Sequence, residues 1–230
     1  MPIPYLHHEL FELNDGLLCK KHVIEGIGPI VVIDKMYKYP SDIELMLDQA
    51  WVPSFHYGRH SSNYRDYYDC RHNIQICKTG HAKENEVQIL IRDMAKNYLG
   101  YECIDEELDY AFNCFTWIHP PVSNDIQSMP HQDSAGKSHI ASVTYFNDNE
   151  NHGTAFYSYC DAKQDEVVDI RCDISKNAEL VEVITGKKNR TIIYPSWYWH
   201  GAYMEDHSEW VEKWRYSQVY FNRVKPEFKL

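Results

Sequence analysis

Residues 108–222 hold six short strand-like runs, at 111–118, 140–146, 154–159, 180–184, 190–194 and 216–221, with no clear crossover helix between any two of them. Parallel pairing needs such a crossover, whereas antiparallel strands need only a turn, so the pattern points to an antiparallel sandwich or barrel. The aromatic content agrees. With 18 Tyr, 6 Trp and 8 Phe, 14% of the chain is aromatic, which suits a pleated, half-buried surface better than a helical bundle.

The first half reads differently. Ile30-Val31-Val32-Ile33 after the turn at residues 26–29 reads as one buried strand. Ser41 as N-cap with Glu44 three residues on makes a capping box, ahead of a helix with Ile43, Leu45, Met46, Leu47 and Ala50 on its apolar stripe. A second helix over residues 83–99 carries Val87, Leu90, Ile91, Met94, Ala95 and Tyr98 at three- and four-residue spacing, and Gly100 is its natural stop. The segment ending at Cys77 alternates like a half-buried strand. No repeat or linker divides the 230 residues, so the expectation is a single domain, mainly β with N-terminal helices. Within it, residues 1–107 would give helical and strand support and residues 108–222 the β core.

Charge narrows the partners. With 34 acidic and 23 basic side chains the formal charge is -11, which would repel a phosphate backbone, so nucleic acid is not the expected partner. The acidic runs at Asp105-Glu106-Glu107 and at Asp148 and Glu150 read as solvated loops. Seven Cys, none in Cys-x-x-Cys spacing, imply reduced thiols. The N-terminus has neither a basic start nor an apolar h-region, and no apolar run approaches the ~18 residues of a membrane span. These features together predict a cytoplasmic protein without a membrane partner; the oligomeric state is not legible.

The chemistry-bearing residues lie in the β half. His131 and Asp133 are two apart, so an extended backbone sends both side chains from one face toward one ion. A second histidine, His200, stands 69 residues later, where an antiparallel roll can bring the two segments together. Two imidazoles and one carboxylate on one face of a metal leave positions open for other ligands, the arrangement of non-heme Fe(II) oxygenases. Fifteen residues after His200, Arg215 and Ser217 alternate onto one strand face and can clamp a carboxylate with a bidentate fork and a hydroxyl. Lys213 shares that face and is the rival cation.

In order along the chain, His131-Gln132-Asp133, Val143-Thr144-Tyr145-Phe146-Asn147, Gly153-Thr154-Ala155-Phe156-Tyr157, Pro195, His200-Gly201 and Arg215-Tyr216-Ser217 resemble the Fe(II)- and 2-oxoglutarate-dependent dioxygenases, and within them the prolyl-hydroxylase-like branch. The resemblance implies a double-stranded β-helix of the jelly-roll or cupin kind. It implies that His131, Asp133 and His200 are the catalytic metal ligands. Arg215 would pair with the distal carboxylate of 2-oxoglutarate, with Ser217 and Tyr145 hydrogen-bonding to it. Fe(II), 2-oxoglutarate and O2 would be the cofactor and co-substrates, and hydroxylation of a C–H bond, with release of succinate and CO2, the reaction. The retained Asp133 favours hydroxylation over halogenation. His152 departs from the pattern, standing where that branch has the first Gly of a pair. The substrate implied is an amino acid, a peptide or a small metabolite.

Other readings stand beside this one. A cupin-like metal enzyme would use the same triad without 2-oxoglutarate, a nucleic-acid demethylase would share the chemistry, and a non-catalytic β-sandwich interaction module would need no metal. His139 is the nearest decoy among the remaining histidines. Trp117, Tyr157, Trp197 and Trp199 read as core before pocket, and Arg65 and Arg71 as surface before substrate clamp.

Overall fold

An apolar run such as residues 30–33 needs cover on both faces of its strand, and it has it. It lies in the hairpin of β1 (Leu18–Ile24) and β2 (Gly28–Asp34), whose turn uses positive φ at Gly26 (75°) and Gly28 (138°). Ile30 and Val32 enter one core while Val31 and Ile33 enter another. The computed structural model describes residues 8–49, 71–75, 82–104, 112–118, 130–133, 137–148, 150–159, 178–205 and 215–225.

After β2 come α1 (Pro40–Gln49), β3 (Arg71–Gln75) and α2 (Ala82–Met94), the last widening into a π-helical turn at Ala95–Leu99. α1 starts earlier than the Ser41 cap implied. The Tyr39 carbonyl already accepts the Ile43 N–H at 3.2 Å, which places Pro40 at the first helical position, where its missing N–H costs nothing. The stop at Gly100 stands: its φ of 79° is left-handed, and its N–H closes on Lys96 O while Tyr101 N–H closes on Ala95 O.

The remaining strands are β4 (Phe112–Ile118), β5 (His139–Tyr145), β6 (His152–Tyr159), β7 (Ala178–Thr185), β8 (Thr191–Pro195), β9 (His200–Met204) and β10 (Arg215–Arg223). Among the described residues they form a seven-stranded sheet, β1-β2-β8-β5-β10-β4-β3, and a three-stranded sheet, β7-β6-β9. Every pairing is antiparallel. From β5 on, the chain passes from one sheet to the other between β5 and β6, β7 and β8, β8 and β9, and β9 and β10. This winding is the double-stranded β-helix, a jelly roll. The first half contributes more than support: β1 and β2 extend one margin of the large sheet and β3 the other.

Alternation along the large sheet sorts two cores. Val31, Ile33, Ile140, Ile193, Tyr216 and Tyr220 face the helices and meet Ile43, Leu47, Val87, Ile91 and Ala95. Each such aliphatic side chain contributes about 1.5–3 kcal/mol when fully buried, enough together to dock two short helices that would not persist alone. The opposite face, with Val32, Val143, Tyr145, Ile192 and Tyr194, meets Phe156 and Ile184 of the small sheet. Arg215 and Ser217 belong to that inner face by the same alternation, and both are buried.

Among the described residues no helix is long and apolar enough to cross a membrane. Two of the cysteines have described side chains, Cys19 and Cys103, and both are free; burial pushes the Cys103 thiol up to about 11.

Candidate metal centre

His131 and His200 come together through their backbones. An isolated antiparallel bridge joins them, His131 N–H to His200 O at 2.8 Å and His200 N–H to His131 O at 3.0 Å, so the His131 segment lies beside β9 at the margin of the small sheet. Their rings stand 4.6 Å apart. Asp133, two residues along the same extended backbone, turns its carboxylate to both: Oδ1 is 3.3 Å from His131 Nε2 and Oδ2 is 3.0 Å from His200 Nε2. The ligand atoms of these three residues lie within 4.8 Å of one another.

One turn orients this set. Residues 195–198 close with Tyr198 N–H on Pro195 O at 3.0 Å, and three successive carbonyls then point at the metal-site segments. Ser196 O accepts the Asp133 N–H at 3.0 Å, Trp197 O accepts the Gln132 amide at 2.6 Å, and Tyr198 O accepts His200 Nδ1–H at 2.8 Å. Ser196 is tied back in turn, its hydroxyl donating to His139 O at 2.8 Å. A carbonyl only accepts, so His200 carries a proton on Nδ1 and turns Nε2 toward Asp133, the second-sphere arrangement that fixes a metal-binding histidine.

Burial would push the Asp133 carboxyl up, but His200 by charge and both imidazoles by hydrogen bonding outweigh it and hold the group far below the usual carboxylate range. Its side chain is only 22% exposed. A carboxylate held ionised between two imidazoles is a donor set for a divalent cation, and this N,N,O mix suits iron.

The predicted co-substrate residues also meet. Ser217 and Tyr145 are cross-strand neighbours on β10 and β5. Arg215 lies with its guanidinium carbon 5.4 Å from the Tyr145 ring centre. Its Nε donates to His152 Nδ1 at 3.2 Å and its Nη2 to Gly153 O at 2.9 Å. Tyr145 and Thr154 share a hydroxyl–hydroxyl bond of 2.6 Å. Lys213 lies outside the described residues.

Tyr194 joins the two groups and escaped the sequence reading. It is buried, its ring stands 4.8 Å from that of His200, and its hydroxyl is pushed up by burial, then by Asp133 and Tyr145, against the opposing charge of Arg215. All three thus lie within electrostatic reach of one side chain. The only hint in the sequence was its place in an inward-facing run.

The bland readings hold for several aromatics. Tyr157 and Trp199 pack with Ala155 on the outer face of the small sheet, and Trp197 packs edge-on against Tyr101 at 5.1 Å. The side chains of Trp117, Arg65 and Arg71 lie outside the described residues. His139 stays out of the triad; its Nδ1 is 2.8 Å from Ser138 Oγ, and burial holds its pKa low.

A family described as "Family of unknown function (DUF6445)" matches residues 81–178, less than half of the chain. No curated protein matches the sequence. Among solved structures, HygX from Streptomyces hygroscopicus with nickel, 2-oxoglutarate and hygromycin B bound is similar at 7% identity and a TM-score of 0.52, over 86% of this chain and 83% of HygX. The epimerase SnoN from nogalamycin biosynthesis gives 10% identity and a TM-score of 0.49, over 81% and 72% of the two chains. A prolyl hydroxylase in complex with a hypoxia inducible factor peptide fragment, from Trichoplax adhaerens, gives 11% and 0.47, over 84% and 83%. At these identities the likeness to HygX is one of fold.

Proposed function

We propose that this protein is an Fe(II)- and 2-oxoglutarate-dependent oxygenase that hydroxylates a C–H bond of an amino acid, peptide or small metabolite. The observation that carries the reading is the convergence of His131, Asp133 and His200, with the His200 tautomer set by Tyr198 O, at one end of the inner face that also holds Arg215, Tyr145 and Ser217. A fold hosts many chemistries, and this site is what singles out one of them. HygX, of the same fold, carries nickel and 2-oxoglutarate, which supports the assignment of a divalent metal and this co-substrate.

When bound, iron and 2-oxoglutarate together supply the oxidising power, with succinate and CO2 as by-products. The chain's own residues bind and orient. His131, Asp133 and His200 would hold the metal, with positions left for co-substrate and oxygen. Arg215 receives the distal carboxylate with its planar fork, and Ser217 adds a hydroxyl from the same strand face. Either hydroxyl of the Tyr145–Thr154 pair can donate, and when Thr154 does, the Tyr145 proton is left for that carboxylate. Tyr194, its ring 4.8 Å from that of His200, keeps its proton through burial.

The test is stoichiometric. Purified protein with Fe(II), 2-oxoglutarate and oxygen should form succinate, slowly alone and faster with the right substrate, and His131→Ala, Asp133→Ala and His200→Ala should each stop it. Succinate formation unaffected by these substitutions would refute the assignment.

A further inference from the structure

We propose that His152 is a positioning residue for the 2-oxoglutarate clamp: its neutral imidazole holds the Arg215 guanidinium in place, and protonation of that imidazole releases it, so co-substrate binding weakens in acid. This rests on the reading of Arg215 as the anchor.

The contact fixes the tautomer. Arg215 Nε can only donate, so at 3.2 Å it needs a lone pair on His152 Nδ1, and the imidazole proton belongs on Nε2. Gly153 O takes Nη2 at 2.9 Å, so two consecutive residues of β6 grip one edge of the fork. A guanidinium recognises a carboxylate in its own plane, and a held edge sets that plane. His152 is itself wedged. It is fully buried, meets the Tyr145 ring edge-to-face at 5.5 Å, and its backbone carbonyl accepts the Gly186 N–H at 2.6 Å. A Cβ at Gly186 would stand 2.4 Å from His152 Cε1, so the space for an imidazole exists because residue 186 is glycine.

Among the described residues, the groups facing His152 include Arg215 from β10, Tyr145 from β5, Met204 opposite it on β9, Thr154 on its own strand, and the Gly186 backbone after β7. Of these, only Arg215 is charged near neutral pH; Tyr145, pushed up to about 12 chiefly by burial, stays neutral. Protonation of His152 therefore does two things at once. It removes the acceptor lone pair, and it sets a second cation against the first in a place where water screens little.

The experiment is calorimetric titration of 2-oxoglutarate into nickel-loaded protein from about pH 8 down to the lowest pH at which nickel stays bound, because a buried imidazole beside a guanidinium resists protonation. Wild type should bind progressively more weakly as pH falls. His152→Asn keeps an acceptor near the Nδ1 position and has no titration in this range, so it should match wild type at the upper end and show a shallower acid loss. His131 and His200 remain in that variant, so the difference between the two profiles belongs to residue 152. His152→Leu should bind about tenfold or more weaker throughout, the loss of one charge-assisted bond. Parallel profiles for wild type and His152→Asn, or normal affinity in a folded His152→Leu, would overturn the proposal. Arg215→Ala separates the two levels: unchanged affinity there removes the anchor itself, whereas a loss there with normal His152 variants removes only the role of His152.

Discussion

Asp133 Oδ2 and His200 Nε2 stand 3.0 Å apart, while Nδ1 on the other side of the ring donates to Tyr198 O. At that distance a proton on Nε2 joins the two atoms, and a metal cation can take its place. A divalent metal answers both histidines and the carboxylate together. Metal should therefore stabilise the fold: at 100 times its Kd, a ligand that binds only the native state adds about 2.7 kcal/mol. Thermal melting with and without Fe(II) or Ni(II) should show a clear rise in Tm for the wild type. In His131→Ala, Asp133→Ala and His200→Ala the rise should vanish while the metal-free chain still melts cooperatively. A full rise in any one of them would remove that residue from the ligand set.

The clamp is tested by a pair. Arg215→Ala should raise the KM for 2-oxoglutarate on the order of ten- to a hundredfold or more, since a charge-assisted hydrogen bond contributes about 1.5–3 kcal/mol. Lys213→Ala should change it little. Steady-state kinetics showing the reverse would move the anchor to Lys213.

Acid sensitivity of the fold has a source away from the site. Arg190 meets Asp34 with two prongs, Nε to Oδ1 at 2.7 Å and Nη2 to Oδ2 at 3.2 Å, tying the end of β2 to the start of β8. The hydrogen bonds from Arg190 are the main cause holding the Asp34 carboxyl below its ordinary value, against an opposing push from burial. A carboxyl depressed in the native state stabilises above its unfolded pKa of about 3.9, and that stability is lost as pH falls through the native value. Urea unfolding of Asp34→Asn should show a loss of about 1–3 kcal/mol at neutral pH. The gap from wild type should close below about pH 4. A pH-independent gap would assign the loss to packing.

Gly153 has a packing role distinct from chemistry. A Cβ there would fall 2.1 Å from the Ile184 carbonyl oxygen, a backbone atom that moves only with its strand. Gly153→Ala should cost about 1–3 kcal/mol or more by chemical denaturation, as forced overpacking does. Wild-type stability in that variant would show that β6 and β7 are not so closely set.

The convergence of His131, Asp133 and His200 was legible in the sequence because their chemistry is local. A His-x-Asp pair on extended backbone shares a face, and the roll that returns His200 to it follows from antiparallel runs. The orienting groups were not legible, since three carbonyls at residues 196–198 have no side-chain signature and their use depends on one turn. His152 stood out only as a departure from a glycine, and its burial against Arg215 arises from pairing across 63 residues. β1 escaped because Lys20, Lys21 and His22 mask its alternation at an edge, where charge guards the open strand. The capping box at Ser41 yielded to Pro40, whose ring presets the first helical φ.

The central claim is that the triad holds a metal which in turn holds 2-oxoglutarate. Anaerobic titration of Fe(II) and then 2-oxoglutarate, followed by visible absorption, tests it directly. A weak metal-to-ligand charge-transfer band should grow only when both are present, saturate at one equivalent per chain, and be absent in His131→Ala, Asp133→Ala and His200→Ala. No band with both added to the wild-type protein, or an undiminished band in the triad variants, would contradict the account.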